Sequence, residues 1–252
     1  MSVQLELSKL SVGQFAERFR GEMIPLSNTF SYFCASVPLS DEDVKEYLEE
    51  PIAALPPSIQ GRLPKISIIL VPYLERGSAK GAKSSDTIWI ERPPEQGRLS
   101  WASQLRSGNE EVLVFALKDQ DVAEYHYRFY QLLAGSLADR LLSEEMEQYL
   151  AVIRDELAGE VHGEVDEESW RRKQSIQRRG TIRKESKQFK DYVRQSFIDT
   201  LTLYLHGICC DIDVDTGPRQ LPSRYLRKRL QLLRELFPPP PGYAVFPEEL
   251  KQ

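Results

Sequence analysis

Lys65-Ile-Ser-Ile-Ile-Leu-Val-Pro-Tyr73 (KISIILVPY) is the stretch whose reading decides the fold. Its apolar run is short, β-branched and continuous instead of alternating, which predicts a strand over 65–73 buried on both faces. Such a strand needs packed layers on either side of it. Two more runs read as strands: Asp86–Glu91 (DTIWIE), which alternates, and Glu111–Leu117 (EVLVFAL). The three are expected as neighbours in one sheet, covered by the helix that follows. Upstream, Phe30–Val37 (FSYFCASV) adds an aromatic-rich strand and Val3–Leu7 a short one. Between Pro51 and Pro64, four prolines and a glycine predict an irregular connection with one helical turn, and Arg92–Asn109 reads as a polar stretch.

Helical spacing dominates the rest. Ser11 and Ser40 stand where N-caps belong, and the helix after Ser40 is expected to stop at Pro51. From Asp121, Val122, Tyr125, Phe129, Leu132, Leu133, Leu137 and Leu141 recur at three and four. Ser143 is placed to cap a second helix that turns Met146, Leu150, Ile153 and Leu157 inward. A third begins near Ser186 with Phe189, Val193, Phe197, Leu201, Tyr204 and Leu205 on one face. A last one begins at Pro222 and carries Tyr225, Leu226, Leu230, Leu233 and Leu236. Strands first and helices later predict an α+β fold. A mixed sheet of about four strands packed by helices is expected over residues 1–118, and a mainly helical region over 119–252. With almost no linker at 118, the two are expected to form one compact body.

Hydrophobic residues are 41% of the chain, enough for a core and too many for disorder throughout. The opening MSVQLELSKLSVGQ has neither the basic nor the apolar region of an export signal, and no apolar run approaches the ~20 residues that span a bilayer. Cys34, Cys209 and Cys210 cannot make a regular disulfide framework, which points to a reducing, cytoplasmic setting. The net charge of −5 is unevenly spread. Residues 171–252 hold 17 Lys and Arg against 9 Asp and Glu, a balance of +8, and the preceding residues balance at −13.

The elbow Gly-x-Ser-x-Gly and the glycine-rich phosphate loops are absent from the sequence. Asp211, Asp213 and Asp215 alternate as in a calcium loop, but Thr216 replaces its glycine and Pro222 its final glutamate. The densest group of potential ligands is Glu156, Glu160, His162 and Glu164. Glu160 and His162, joined from afar by His206, are the candidate set for a metal-assisted hydrolase.

A strand, a helix, three strands and a long helix resemble the layout of zinc-peptidase (zincin) domains, whose long helix carries a His-Glu-x-x-His pair. The matching stretch here is Val122-Ala-Glu-Tyr-His-Tyr-Arg-Phe-Tyr130, with His126 alone. The resemblance therefore implies a zincin-like scaffold without the zinc site and without its catalysis.

The stretch Arg171–Lys190 holds nine Lys or Arg. Arg171, Arg172, Lys173, Arg178, Arg179, Arg183 and Lys184 are the expected contacts for an acidic protein surface. Nucleic acid is disfavoured, because aromatic residues flank the stretch only at Trp170 and Phe189 and the whole chain is acidic. The sequence thus reads as a non-enzymatic interaction protein with no cofactor, no metal and no membrane partner. The metal-assisted hydrolase and the silent zincin-like scaffold are the alternatives, and oligomeric state is left open.

Overall fold

The computed structural model describes residues 9–36, 38–77, 86–94, 98–118, 120–178, 186–210 and 219–246. The expected strand Val3–Leu7 and the aspartates 211, 213 and 215 lie outside them. The fold is α+β and divides into two compact units, Met1–Pro51 with Leu63–Arg128, and Ile52–Arg62 with Phe129–Gln252.

In the first unit, β1 (Lys9–Ser11) runs into α1 (Val12–Phe19) through a capping box. Gln14 N–H donates to Ser11 Oγ and Ser11 N–H donates back to Gln14 Oε1. After β2 (Ile24–Pro25) and β3 (Phe30–Cys34), Ser40 and Asp43 form the same box at the start of α2 (Asp41–Val44). The helix does not stop at Pro51 as expected. A π-helical turn, Lys45–Glu49, intervenes, and Glu50 N–H donates to Lys45 O five residues back. Pro51 then sits within α3 (Glu50–Ala53). The wider turn relieves the clash that a proline ring makes with the carbonyl four residues earlier. The connection continues into α4 (Pro57–Gln60), which belongs to the second unit.

The decisive stretch is a strand, but Pro72 divides it into β4 (Lys65–Val71) and β5 (Tyr73–Glu75). Proline cannot donate to a ladder, and the chain leaves one sheet for another at that residue. β6 (Thr87–Trp89), β7 (Leu99–Ser100), β8 (Ala102–Ser107) and β9 (Glu110–Ala116) complete the two sheets. One sheet has the order β2-β3-β4-β9-β8, with β3, β4 and β9 parallel and both edge strands antiparallel. The other is antiparallel throughout, in the order β1-β6-β5-β7.

Residues 86–91 are therefore not in the sheet of 65–71 and 111–116, contrary to expectation. The neighbour of β9 is β8, which lies within the stretch read as merely polar. As an outer strand with half its residues exposed, β8 carries little apolar signal. It joins β9 through a two-residue loop with Gly108 at φ 60, the glycine position of a II′ hairpin. β4 is buried on both faces, as its continuous apolar run predicts. Ile69 and Val71 pack with Val114, Ala116, Leu74, Ile88 and Phe15 in one core, which joins the two sheets to α1. On the opposite side of β9, the Phe115 ring meets Tyr125 of α5 (Val122–Ala138) edge-on at 4.9 Å.

The second unit takes the remainder of α5 together with α6 (Ser143–Ala158), α7 (Glu167–Arg178), α8 (Lys187–Cys209) and α9 (Ser223–Leu236). Ser143 is not the cap of α6. That position is Leu142, whose N–H donates to Glu145 Oε2, and the same oxygen receives Arg62 Nη1 at 2.6 Å. The inward face of α6 is also turned from the expected one, to Tyr149, Val152, Ile153 and Glu156. α8 begins at Ser186 as expected and is buried nearly all round. Between α6 and α7, Glu164 N–H donates to Arg219 O and Leu221 N–H donates to Glu164 O, forming a short parallel bridge.

Gly163, at φ 84, makes that bridge possible. A Cβ on it would lie 2.1 Å from Gln220 O. Gly163→Ala is expected to cost at least about 2 kcal/mol, read as a lower urea midpoint, from left-handed strain and backbone collision together. An unchanged midpoint would show that the bridge is not held as described.

Candidate functional site

Among the described residues, a cluster of buried ionisable groups lies inside the second unit and centres on Arg229, whose side chain is fully buried. Leu226, Arg229, Leu230 and Leu233 share the inward face of α9, so the guanidinium occupies a position in phase with leucines. Glu156 takes the matching place on α6, after Tyr149, Val152 and Ile153. Arg229 Nε and Nη2 donate to the two Glu156 oxygens at 2.9 and 2.5 Å, a bidentate pair. Nη1 and Nη2 also donate to Glu164 Oε2 and Oε1 at 2.8 and 3.1 Å, and Nη1 reaches Ser196 Oγ at 2.8 Å. All five guanidinium protons thus have acceptors.

Glu164 is just as fully engaged. Lys173 Nζ lies 3.2 Å from Glu164 Oε1 and donates to Gly163 O at 2.8 Å, and Tyr192 Oη donates a short hydrogen bond to Glu164 Oε1. Thr200 Oγ1 donates to Ser196 O at 2.7 Å, so its hydrogen is spent. Tyr149 Oη, 2.8 Å away, must therefore donate to Thr200. Two cations and two carboxylates balance in a cluster that ties α6, α7, α8 and α9 together.

Burial alone would raise the Glu164 pKa, but the charge and hydrogen bonds of Arg229, with Lys173 and Tyr192, hold it down to about 2. Burial pushes the Tyr149 hydroxyl up to about 12 despite the opposing field of Arg229. Arg229 stays charged, because the acidic groups around it outweigh the desolvation that would lower its pKa. Beside the cluster, Asp199 of α8 accepts Ser169 N–H at 3.2 Å and Gln195 Nε2 at 2.8 Å, and burial lifts it to about 6. These oxygens and protons are committed to one another, so the cluster fixes the helices that carry them.

The residues singled out in the sequence are dispersed. Glu160 has left α6 at φ 51 and is exposed, His162 is exposed, and His206 is buried in α8. The ligand atoms of these three do not converge on a common point. His126 is buried in α5, where Nε2 donates to Glu46 O at 2.9 Å. The three cysteines are thiols, not disulfides, and burial raises Cys34 to about 11.

Of the basic residues, Arg171 is exposed and Arg172 half-buried, paired with Glu167 and Glu168 one turn back. Lys173 departs from its expected role as a partner contact. It is 1% exposed and spent on Glu164 and Gly163. Ser169, Lys173 and Ile176 form the inward stripe of α7, so the lysine occupies an apolar phase. The side chain of Arg178, and Arg179, Arg183 and Lys184 as a whole, lie outside the described residues.

Sequence reading missed Arg229, Glu156, Glu164 and Lys173 as one group. A signal was present for Arg229: a charge in phase with the leucine stripe of its own helix. Comparison with family models, curated proteins and solved structures finds no match.

Glu164→Gln would leave Arg229 with Glu156 as its one carboxylate and Lys173 with no paired carboxylate. It is expected to lower unfolding free energy by about 3–5 kcal/mol in urea at neutral pH. A loss below about 1 kcal/mol would show that the cluster is not structural. Asp199 acts in the opposite sense from Glu164. Its folded pKa lies above the unfolded value of 3.8, so the stability it contributes is present at low pH and lost as pH rises through about 6. Asp199→Asn, which keeps an acceptor for Ser169, should flatten the pH dependence of the urea midpoint between pH 4 and 6 and raise stability at pH 7 by about 1–3 kcal/mol. Destabilisation at pH 7 would contradict this assignment.

Proposed function

We propose that this chain is a non-enzymatic interaction protein that binds an acidic protein surface through cations on the outer faces of its second unit. The supporting observation is the division of charge within that unit. The inward cations Arg229 and Lys173 are consumed by Glu156 and Glu164. Others, Arg171 among them, stay at the surface. The ion pairs of Arg171 and Arg172 with Glu167 and Glu168 are exposed or partly exposed and each worth about 0–1 kcal/mol, so a partner's carboxylates can replace them. Among the described residues no helix is long and apolar enough to cross a membrane. The chain's excess of acidic residues favours a protein partner over nucleic acid.

The test compares the chain with Arg171→Gln/Arg172→Gln/Arg178→Gln/Arg179→Gln in cross-linked capture at low and high salt. Capture is expected to fall several-fold in the variant and in high salt, with the thermal midpoint unchanged. Equal capture by both proteins, or one equivalent of metal in untagged protein, would overturn the reading.

A further inference from the structure

Among the described residues of the second unit, α9 presents a one-sided charge. Its inward face is Leu226, Arg229, Leu230 and Leu233, whereas Arg224, Arg227, Lys228 and Arg234 are exposed, with Glu235 the only acid among the exposed residues of the helix. Two hollows border this outer face. One, of about 470 Å³, lies between α6 and α9 over Val152 and Leu232, under Arg224, Arg227 and Lys228. The other, of about 560 Å³, lies between the end of α9 and the proline turn, with Pro238, Pro239 and Tyr243 as its apolar wall. Gln231 and Glu235 line both, so the hollows meet along the helix.

We infer that this channel is the docking site for an acidic, extended segment of a partner protein, carrying one aromatic side chain that seats against Pro238, Pro239 and Tyr243. The inference deepens the acidic-partner reading and rests on it. Charge complementarity sets the class of occupant, since four cations face a single carboxylate along α9. Length fits as well. Arg224 to Glu235 spans about 17 Å at 1.5 Å per residue, the reach of about five extended residues. Two of the cations are also held in place beforehand. The Arg224 guanidinium stacks over the Tyr225 ring at 4.6 Å, and Arg227 over Phe246 at 4.8 Å. Stacked guanidiniums lose less side-chain freedom on binding than unanchored lysines. Lys228 pairs with Asp155 at 3.3 Å across the groove with both side chains more than half exposed, a contact that an incoming carboxylate can exchange. Tyrosine and arginine around a partly apolar hollow are also the residue types that carry most binding energy at protein interfaces.

The experiment measures fluorescence anisotropy of a labelled hexapeptide of glutamates around a single tryptophan. Wild-type protein is titrated beside Arg224→Gln/Arg227→Gln/Lys228→Gln, Tyr243→Ala, and Arg171→Gln/Arg172→Gln. Circular dichroism melts confirm that these surface variants fold. Binding is expected to weaken about tenfold in the α9 charge variant and about threefold in Tyr243→Ala, and to weaken less in the α7 variant than in either.

Loss that follows the α7 variant and spares the α9 variant would overturn the inference and leave the acidic-partner reading standing. Failure of every protein to bind the peptide, together with salt-insensitive capture of partners, would remove both. Tighter binding of a polyuridylate of equal charge, abolished in the α9 variant, would make this a phosphate-binding face and overturn the inference. So would low-salt self-association that the α9 variant abolishes, because the occupant would then be a second copy of the chain.

Discussion

The second unit depends on one guanidinium. Arg229 reaches from α9 to Glu156 on α6 and to Glu164 on the segment before α7, and Ser196 of α8 accepts one of its protons. Lys173 of α7 and Tyr192 of α8 complete the shell around Glu164. Removing such charges from water costs several kcal/mol each, and the cost is offset only when every donor and acceptor is matched. The result specifies an arrangement as well as stabilising it. A helix rotated by one residue would leave a charge in an apolar layer, so the cluster selects one rotational setting for each helix it touches.

This requirement explains features that otherwise look like exceptions to good helix design. The buried face of α6 runs through Tyr149 and Glu156, and leaves Met146 and Leu150 only half-buried. The polar hydroxyls of Ser196 and Thr200 lie in the interior of α8, where they receive the Tyr149 and Arg229 protons. Gly163 adopts a left-handed conformation so that Glu164 can join both the backbone bridge to Gln220 and the Arg229 cluster. In the first unit the organising constraint is apolar instead. β4 has neighbours on both edges and cores on both faces, and Pro72 ends it by removing the donor that its ladder would next require.

Local signals carried well where they were chemical and short-range. The capping residues Ser11, Ser40 and Ser186, the strands at 65–71 and 110–116, the apolar face of α8 and the inward Leu226, Leu230 and Leu233 of α9 follow from propensity and period alone. They failed where the decisive neighbour is distant in sequence. β8 has a polar edge-strand sequence, and only its pairing with β9 defines it. Residues 87–89 have a correct strand pattern, but which sheet they join depends on the turn at Pro72 and on β1.

The sequence by itself determined the α+β class, the helices α5, α6, α8 and α9 with strands β3, β4, β6 and β9, and the asymmetry of charge along the chain. These are properties of residue type and spacing. Tertiary structure alone decided which charges are surface and which are struts. Lys173 and Arg171 are two residues apart in one basic run, yet one is sealed against Glu164 and the other is exposed. A helix places them on different faces, and the cost of an unpaired buried charge requires the carboxylate that meets Lys173 there. That partner comes from a segment whose approach is fixed by Gly163, and no local pattern encodes it.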